Sequence, residues 1–415
     1  MKKLDLFSFG DALEMALGSA SVKTQSEIMM IDDVLGRVLA VDIVCRKNLP
    51  SFDNSAMDGF AFRYVDVGKK VDIVSTIFAG DTPAEALVEQ SCYKIMTGAK
   101  VPSDADTIVP IEDCIEVSDD FVVLPKGIKK GSALRKKGEE LREGSVMFGA
   151  GEILTPAHIA LLSAQGIVAL EVYTRLSIAV VSTGDEIKEP WDSSSDDEIY
   201  NANAFGITAE LKKFGFVPTY VGSIPDDLAK SIEFISKLSP YDVIITTGGV
   251  SMGDADFLEE AFVSNGLEVL FHGVNVKPGR PTMMGVMNES FVMAMPGNPL
   301  TAMLNIFLLT IPVLFKMQGV TKYHHSFVYA KNVRAFRANP KRANIVLGAM
   351  IDGEFHVTRD NRYGSGMLTP MYESSAVAVL GEGVDGAKED EMIKVVLFDS
   401  AVSSMKNNTI NGEKR

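Results

Sequence analysis

Glycine-rich loops carry the residues of this chain whose types and spacing are best suited to chemistry. The central loop is Thr247-Gly248-Gly249-Val250-Ser251-Met252-Gly253-Asp254-Ala255-Asp256, which follows an apolar run at residues 243–245. Its two glycines let the backbone approach a phosphate closely, and free amides at the start of the next helix attract anions. Ser251 adds a hydroxyl, and Asp254 and Asp256 offer oxygen ligands for a metal ion. The same residues also suit a simple tight turn, so this loop alone does not establish a site.

Three further loops of the same character strengthen the interpretation as a ligand site. They are Ser182-Thr183-Gly184-Asp185-Glu186, Lys277-Pro278-Gly279-Arg280-Pro281 and Pro296-Gly297-Asn298-Pro299. The carboxylates suited to Mg²⁺ are those of Glu186, Asp226, Asp254 and Asp256, while Lys277 and Arg280 supply positive charge. Mg²⁺ between carboxylates and phosphate oxygens is a recurring device of phosphoryl chemistry. Each charge alone fits a solvated surface, whereas their shared position after strands or turns favours a site.

An alternation of strands and helices must position these loops. Strands are predicted at residues 178–181, 217–221, 243–246, 267–270 and 291–295, and helices at 204–214, 228–238, 257–263 and 300–317, the last kinked at Pro312. This pattern predicts a doubly wound α/β domain, in which ligands bind outside the carboxyl ends of the strands.

The rest of the chain has a different pattern. Ser8 resembles the N-cap of a helix that begins the chain, and a second helix is predicted at residues 32–40. Short β-branched runs between residues 71 and 124 predict an inserted mostly-β domain, in which Thr97 ends a strand. After Gly319 only short strands are predicted, with Asp352-Gly353 as a hairpin turn, which indicates a small C-terminal β-barrel or sandwich.

Composition and charge restrict the possible partners. Forty Lys and Arg against 55 Asp and Glu give a net charge of −15, which disfavours nucleic acid and acidic membranes as partners. An anionic ligand therefore needs a local basic pocket. Cys45, Cys92 and Cys114 show no Cys-x-x-Cys spacing, which favours a reducing compartment and hence a cytoplasmic protein. The longest apolar run, at residues 306–315, is too short to span a bilayer.

The combined loops resemble those of one known family. Pro50-Ser51-Phe52-Asp53-Asn54-Ser55-Ala56-Met57-Asp58-Gly59 and Met96-Thr97-Gly98-Ala99 precede the four loops above in the order seen in molybdopterin molybdenumtransferases, which are related to the E domain of gephyrin. The similarity covers about residues 5 to 399. It implies that molybdate is inserted into adenylylated molybdopterin with release of AMP, assisted by Mg²⁺. It also implies a homodimer whose active site is shared between subunits.

The resemblance also implies roles for individual residues. The catalytic set would be Asp58, Thr97, Glu140, Glu186, Asp226, Asp256, Lys277 and Arg280. Of these, Asp58, Thr97 and Glu140 would come from the partner subunit. Glu186, Asp226 and Asp256 would hold the metal. The substrate-binding set would be Gly248, Gly249, Ser251, Pro296, Gly297, Asn298, Pro299, Thr301, Arg342 and Ser365. Lys277, Arg280, Thr301, Arg342 and Ser365 would line the molybdate pocket. The chain departs from the family pattern at Glu140, Arg280 and Thr301, where Asp, Lys and Ser are common.

The same resemblance implies a division into four domains. Residues 1–45 and 135–175 would form an extended scaffold domain, residues 46–134 the inserted mostly-β domain, residues 176–322 the α/β molybdopterin-binding domain, and residues 323–400 the barrel, followed by a tail at 401–415. A molybdopterin adenylyltransferase is a possible partner. Two alternative functions are an adenylyltransferase-like activity, whose family resembles the α/β domain alone, and a non-catalytic scaffold.

Overall fold

A computed structural model describes residues 6–81, 86–250 and 257–398, together with the backbone of residues 402 and 403. Contacts between residues divide the chain into two compact units. The first contains residues 1–40, 150–156 and 169–415, and the second contains residues 41–149 and 157–168. The second unit is therefore inserted into the chain of the first.

The described helices are few and short. They are α1 (Phe9–Ser19), α2 (Pro156–Ala164), α3 (Ala202–Lys213), α4 (Leu228–Ser236), α5 (Leu258–Ser264), α6 (Pro299–Asn305), α7 (Ile311–Met317) and α8 (Thr369–Tyr372). A π-helical turn, Ile306–Thr310, joins α6 to α7, and short 3₁₀ segments lie at Ile31–Asp33, Tyr64–Asp66, Ile111–Asp113 and Thr358–Asn361. Ser8 caps α1 as predicted, since its side chain accepts a hydrogen bond from the Asp11 amide.

The strands make up most of the regular structure. They are β1 (Ser26–Met30), β2 (Ile43–Val44), β3 (Asn54–Ser55), β4 (Gly59–Phe62), β5 (Lys70–Ile77), β6 (Ser91–Ile95), β7 (Thr107–Pro110), β8 (Glu116–Val117), β9 (Phe121–Val123), β10 (Leu134–Arg135), β11 (Val146–Phe148), β12 (Ala169–Tyr173), β13 (Ile178–Thr183), β14 (Ile187–Lys188), β15 (Ile199–Tyr200), β16 (Pro218–Ile224), β17 (Val243–Thr247), β18 (Leu267–His272), β19 (Val276–Lys277), β20 (Met283–Met287), β21 (Ser290–Met295), β22 (His324–His325), β23 (Val328–Asn332), β24 (Phe336–Arg337), β25 (Ala343–Ile351), β26 (Glu354–Val357), β27 (Ala376–Leu380), β28 (Gly386–Ala387), β29 (Met392–Leu397) and β30 (Val402–Ser403).

The central sheet of the first unit has the order β16-β13-β17-β21-β20-β18. The first four of these strands are parallel, with Ile178 opposite Val243 and Val243 opposite Phe291, whereas β20 runs antiparallel to both its neighbours. The chain passes from β13 outward to β16 and then back to β17, so the strand order reverses between β13 and β17. This confirms the predicted doubly wound α/β fold, although β20 was not predicted.

Both faces of this sheet are covered. Along β13, Ile178 and Val180 belong to one buried cluster, while Ala179 and Val181 belong to another, and β17 and β21 alternate in the same way. The alternation follows from the two-residue repeat of a strand, and burial on both faces explains why the sequence runs are apolar at every position.

The long apolar helix from Pro299 to Met317 is a core helix. The sequence predicts a kink at Pro312, and the structure has the π-helical turn directly before this proline, which lacks an amide hydrogen for the helical ladder. The helix is long and apolar enough to cross a membrane, but 94% of its apolar window is buried inside the protein. Its burial is that of a core element, and length and composition are weak grounds for a membrane span.

A closed barrel forms the C-terminal part of the first unit. Strand β25 pairs with β26 and β27, β26 pairs with β23, and β29 pairs with both β23 and β27, so five strands close on themselves. Asp352 and Gly353 join β25 to β26 with φ values of 52° and 83°, as the predicted two-residue hairpin requires. The predicted barrel is thus confirmed.

The second unit contains a six-stranded mixed sheet with the order β7-β4-β6-β5-β9-β8. Its buried residues form two clusters, one with Tyr93 and Ile95 and the other with Phe60 and Phe62. The predicted strands near residues 71–77, 93–96, 107–109 and 121–124 are all present, which confirms an inserted mostly-β segment.

The helix predicted at residues 32–40 is wrong. The chain there forms only the 3₁₀ turn Ile31–Asp33, and Gly36 then adopts φ +73°, which an α-helix does not permit. The Leu39 amide donates to Glu152 and the Ala40 amide donates to Glu171, so the backbone is extended and bonded to distant segments. The apolar spacing that suggests a helix instead serves an irregular buried segment.

Candidate functional site

A cavity of about 470 Å³ opens at the carboxyl ends of β13 and β17, where the strand order reverses. Two carboxylates, those of Glu186 and Asp226, line it, and the described lining contains no lysine or arginine, so we name it the acidic cavity. Its other described lining residues are Ser182, Thr183, Gly184, Ile187, Ile199, Tyr200, Asn201, Ala202, Asn203, Thr247, Gly248, Gly249, Pro281, Pro296, Gly297, Asn298 and Pro299.

Glycine is required at the wall of this cavity where β17 ends. Gly248 has φ +92°, and a Cβ atom there would lie 2.4 Å from Thr183 Oγ1. Thr183 in turn donates from Oγ1 to the carbonyl of Thr247 at 3.2 Å, so the ends of β13 and β17 are in direct contact. The two chain segments approach closely because position 248 has no side chain.

Asn203, in the first turn of α3, joins two walls of the acidic cavity. Its Nδ2 atom donates to Thr247 Oγ1 at 2.7 Å and to the carbonyl of Gly297 at 2.8 Å. Its Oδ1 atom is buried and has no hydrogen-bond partner among the described residues. Since a buried amide oxygen without a partner is costly, this atom is ready to accept a hydrogen bond from a ligand. Asn203 was not among the residues predicted from the sequence.

A second hydrogen-bond network fixes the start of α3. Asn201 caps the helix by accepting from the Ala204 amide, and its Nδ2 atom donates to Ser182 Oγ at 2.9 Å and to the Tyr220 hydroxyl at 3.0 Å. The Tyr220 hydroxyl also donates a hydrogen bond to Glu189. Burial is the main cause, and this bond the second, of a pKa of Tyr220 raised to about 12. The phenol is therefore neutral at neutral pH, and the network joins the start of α3 to β13 and β16.

The carboxylate side of the acidic cavity is formed by two facing turns. Asp226 Oδ2 accepts from the Asp185 amide at 3.2 Å, and Asp185 Oδ1 lies 3.5 Å from the Asp226 amide. Gly184 has φ +115°, and a Cβ atom there would lie 2.7 Å from a carboxylate oxygen of Glu186. Within the described residues, no group of three or more His, Cys, Asp or Glu side chains is arranged to hold a metal. The predicted residues Ser251, Asp254 and Asp256 lie outside the described part of the chain.

A second cavity, of about 400 Å³, adjoins the first, and Pro281, Pro296 and Asn298 line both. The structure brings Lys277, Arg280, Thr301, Arg342 and Ser365 together here, as a pocket for an oxyanion requires. No carboxylate is among its described lining residues, so we name it the basic cavity. Its three cations are Lys277, Arg280 and Arg342. None of them forms an ion pair within residues 6–81, 86–250 and 257–398.

The position of Lys277 is set by pairing with the barrel. Strand β19 runs parallel to the start of β25, which places Lys277 opposite Asn344 and near Arg342. Asn275 strengthens this joint by donating from its side chain to the carbonyl of Lys341 at 3.1 Å. Two cations that are distant in the sequence thus reach the same cavity.

The loop that carries Arg280 is anchored from beneath by α6. Thr282 Oγ1 donates to the carbonyl of Gly279 at 2.8 Å, and the fully buried Asn305 donates to Thr282 Oγ1 at 2.6 Å. Gly279 has φ +124°, and a Cβ atom there would lie 2.7 Å from Asn305 Oδ1. These contacts hold the loop directly against the C-terminal end of α6.

The far wall of the basic cavity comes from an unusual turn of the barrel. Arg359, Asp360 and Asn361 are three successive non-glycine residues with positive φ, and the first two form ion pairs, Arg359 with Glu373 and Asp360 with Arg334. Beyond the turn, the Tyr363 hydroxyl accepts from the Leu347 amide at 2.8 Å, and burial raises the pKa of Tyr363 to about 12.

Asp58 and Thr97 form a contact within the second unit. Asp58 Oδ1 accepts from both the amide and the hydroxyl of Thr97 at 2.7 Å, and these bonds lower the pKa of Asp58. Glu140 is exposed, and its amide donates to the carbonyl of Leu49. The structure therefore brings Asp58 and Thr97 together, while Glu140 makes no described side-chain contact with them.

Three family models match successive parts of the chain. Residues 7–166 match the "MoeA N-terminal region (domain I and II)", residues 179–316 the "Probable molybdopterin binding domain", and residues 329–398 the "MoeA C-terminal region (domain IV)". A molybdopterin molybdenumtransferase of Haemophilus influenzae is 30% identical over 385 residues, which is 91% of this chain and 95% of that protein. The chain belongs to the molybdopterin molybdenumtransferase family.

Other members of this family support the same assignment. A molybdopterin molybdenumtransferase of Staphylococcus aureus is 30% identical over 380 residues, with 89% of this chain and 90% of that protein covered. Among solved structures, a molybdopterin biosynthesis moeA protein from Pyrococcus horikoshii OT3 is 25% identical with a TM-score of 0.82, covering 95% of this chain and all of that one. The molybdopterin molybdenumtransferase fold thus extends over nearly the whole chain.

Proposed function

We propose that this protein inserts molybdenum, supplied as molybdate, into the dithiolene of adenylylated molybdopterin and releases AMP. The observation that carries this proposal is the basic cavity, where three cations without described ion-pair partners adjoin a cavity lined by carboxylates. Because the chain has a net charge of −15, a pocket without acidic residues stands out as a site for a small anion.

Molybdate fits the basic cavity in charge and in hydrogen bonding. A doubly charged tetrahedral oxyanion needs fixed cations and hydrogen-bond donors, and Lys277, Arg280 and Arg342 supply the charge. The hydroxyls of Thr301 and Ser365 line the same cavity and supply neutral donors. Arg280, in place of the lysine that is common in the family, can give two parallel hydrogen bonds to the oxyanion, which a lysine cannot.

With a divalent cation held by its carboxylates, the acidic cavity would suit the phosphate-bearing part of the substrate. Gly248 and Gly249 expose backbone where no side chain blocks a ligand, and the unpartnered Asn203 Oδ1 can accept a hydrogen bond from a hydroxyl or amino group of the ligand. Asn298, which lines both cavities, then contacts the substrate where its phosphate-bearing and molybdenum-accepting parts meet.

Glu186 and Asp226 fit Mg²⁺ in chemical type, because carboxylate oxygens are its preferred ligands and Mg²⁺ often takes only one or two from the protein. We infer that these two residues, with Asp256, hold the ion. When bound, it would neutralise charge on the phosphate oxygens. Glycine at position 184 leaves room for the Glu186 carboxylate, since a Cβ atom there would lie 2.7 Å from one of its oxygens.

The assembly and location remain part of this proposal. We infer a cytoplasmic homodimer in which Asp58, Thr97 and Glu140 of one subunit complete the site of the other, and in which a molybdopterin adenylyltransferase delivers the substrate. The exposure of Asp58 and Glu140 in a single chain is consistent with this arrangement. We infer in addition that the subunit has four domains.

The proposal is tested by supplying the purified protein with adenylylated molybdopterin, molybdate and Mg²⁺, and by measuring AMP and pterin-bound molybdenum. We expect both products in equal amounts, and neither when molybdate is omitted. Formation of adenylylated molybdopterin from ATP and molybdopterin would instead indicate an adenylyltransferase. Absence of all products, with the fold intact, would favour a scaffold.

A further inference from the structure

An exposed aromatic rim borders the acidic cavity and has no role in the function proposed so far. Trp191, the only tryptophan of the chain, is 70% exposed, and Tyr200 is 50% exposed. Ile199, next to Tyr200 in the sequence, is 58% exposed; Ile199 and Tyr200 line the cavity, while Trp191 lies outside the lining and is connected to it through neighbouring side chains. Large apolar side chains in such a group are costly to leave in water, so a cluster of them next to a cavity marks a contact surface for a ligand.

The rim is built onto the cavity wall through described contacts. The Tyr200 hydroxyl donates to the carbonyl of Asp192 at 3.2 Å, which ties Tyr200 to the segment that carries Trp191. The Trp191 ring packs edge-on against Phe205, with centroids 5.7 Å apart, and Phe205 packs against Tyr220 at 5.6 Å. Tyr220 belongs to the network of Asn201 and Ser182 that lines the cavity. The aromatic side chains are therefore continuous with the site.

The loop that carries Trp191 is also held at both ends. Strands β14 and β15 pair in parallel, with Lys188 opposite Tyr200, and Lys188 forms an ion pair with Glu198 at 3.0 Å. Ser195 donates from its amide and its hydroxyl to the same carboxylate, and these bonds lower the pKa of Glu198 to about 2. The rim is thus positioned by the fold before a ligand binds.

We propose that Trp191 and Tyr200 form a subsite for a flat heteroaromatic ring of the anionic substrate. The cavity offers apolar and aromatic surface on the side of Ile199 and Tyr200 and polar backbone on the side of Gly248, so it fits a ligand that has a ring at one end and a phosphate at the other. This inference rests on the proposed function. Adenylylated molybdopterin carries two such rings, the adenine and the pterin, and either one can stack on an aromatic side chain.

The single tryptophan permits a direct test by fluorescence. The emission of Trp191 is recorded while AMP, 6-hydroxymethylpterin or ribose 5-phosphate is added to the full-length protein. We expect saturable quenching by AMP if the adenine occupies the subsite and by the pterin if that ring does, and no change with the ring-free ribose 5-phosphate. Tyr200→Ala should lower the affinity for the quenching ligand about tenfold, whereas Tyr200→Phe should leave this affinity unchanged.

Matched controls separate this inference from the proposed function. Tyr372 is 93% exposed and lines neither cavity, so Tyr372→Ala should leave the affinities for AMP and for 6-hydroxymethylpterin unchanged. Binding of AMP or pterin in equilibrium dialysis, without any change in Trp191 emission or any effect of Tyr200→Ala, would overturn the subsite and leave the proposed function standing. Trp191 emission that changes with protein concentration but not with any ligand would also overturn the subsite, because it would show that the rim is a contact between subunits. Failure of both ligands to bind at all would count against the proposed function itself.

Discussion

Asn203 Nδ2 lies 2.7 Å from Thr247 Oγ1, and this hydrogen bond ties the start of α3 to the end of the central strand β17. The same nitrogen holds the carbonyl of Gly297 at 2.8 Å, so a single amide group sets the separation of two loops that line the acidic cavity. The neighbouring Oδ1 atom has no described partner. Asn203 therefore combines a structural role with a free acceptor for a ligand.

We expect Asn203→Ala to raise the KM for adenylylated molybdopterin about tenfold and to lower the free energy of unfolding by about 1 kcal/mol, the usual contribution of a hydrogen bond. Asn203→Asp should be worse than alanine, because a carboxylate cannot donate to the Gly297 carbonyl and repels an anionic substrate. Steady-state kinetics and urea unfolding measure both effects. Wild-type kinetics for Asn203→Asp would contradict this role.

Gly248→Ala should abolish activity, because the new Cβ would meet Thr183 Oγ1 at 2.4 Å in a backbone conformation that alanine rarely adopts. Gly222→Ala is the matched control, since Gly222 has φ +112° but open space around its Cβ position. It should cost about 1 kcal/mol of stability from the backbone alone. Thermal unfolding and AMP release of the two variants separate the close contact from the effect of φ. Equal losses in both would show that the contact with Thr183 is unimportant.

Much of this fold could be predicted because its signals are local. The apolar run at β17 predicts a strand buried on both faces, and Asp352-Gly353 predicts a turn that needs two positive φ values. The roles of Asn203 and Asn305 could not be predicted, because each depends on atoms more than 20 residues away in the sequence. The helix wrongly predicted at residues 32–40 failed for the same reason, since its backbone bonds to residues 152 and 171.

Thr97→Val should raise the pKa of Asp58 toward its ordinary value of 3.8, because it removes the hydroxyl that stabilises the ionised carboxylate. A depressed pKa contributes stability above pH 3.8, and this contribution is lost as the pH falls through the pKa of the folded state. The variant should therefore be less stable than the wild type at neutral pH, with a smaller difference in acid. Carbon NMR titration measures the pKa of Asp58, and urea unfolding at neutral pH and in acid measures the two differences in stability. A stability difference that does not depend on pH would contradict the assigned contact.

Subunit mixing tests whether the active site is shared. At a limiting molybdate concentration, Asp58→Asn and Lys277→Ala should each show little activity as homodimers, while their mixture should regain up to about a quarter of wild-type activity, since half of the subunits enter mixed dimers that each keep one intact site. Light scattering checks the dimer in each sample. No recovery in confirmed mixed dimers would place Asp58 and Lys277 in the same subunit's site.

Lys277→Ala tests most directly whether the basic cavity binds molybdate. A fixed cation contributes strongly to binding a doubly charged oxyanion, so the KM for molybdate in AMP release should rise at least about tenfold. The Kd for AMP should change less than about twofold, and Lys341→Ala, an exposed lysine outside the cavity lining, should change neither value. Equal losses for molybdate and AMP in Lys277→Ala would show that Lys277 serves the phosphates, and an unchanged KM for molybdate would contradict the assignment of the basic cavity.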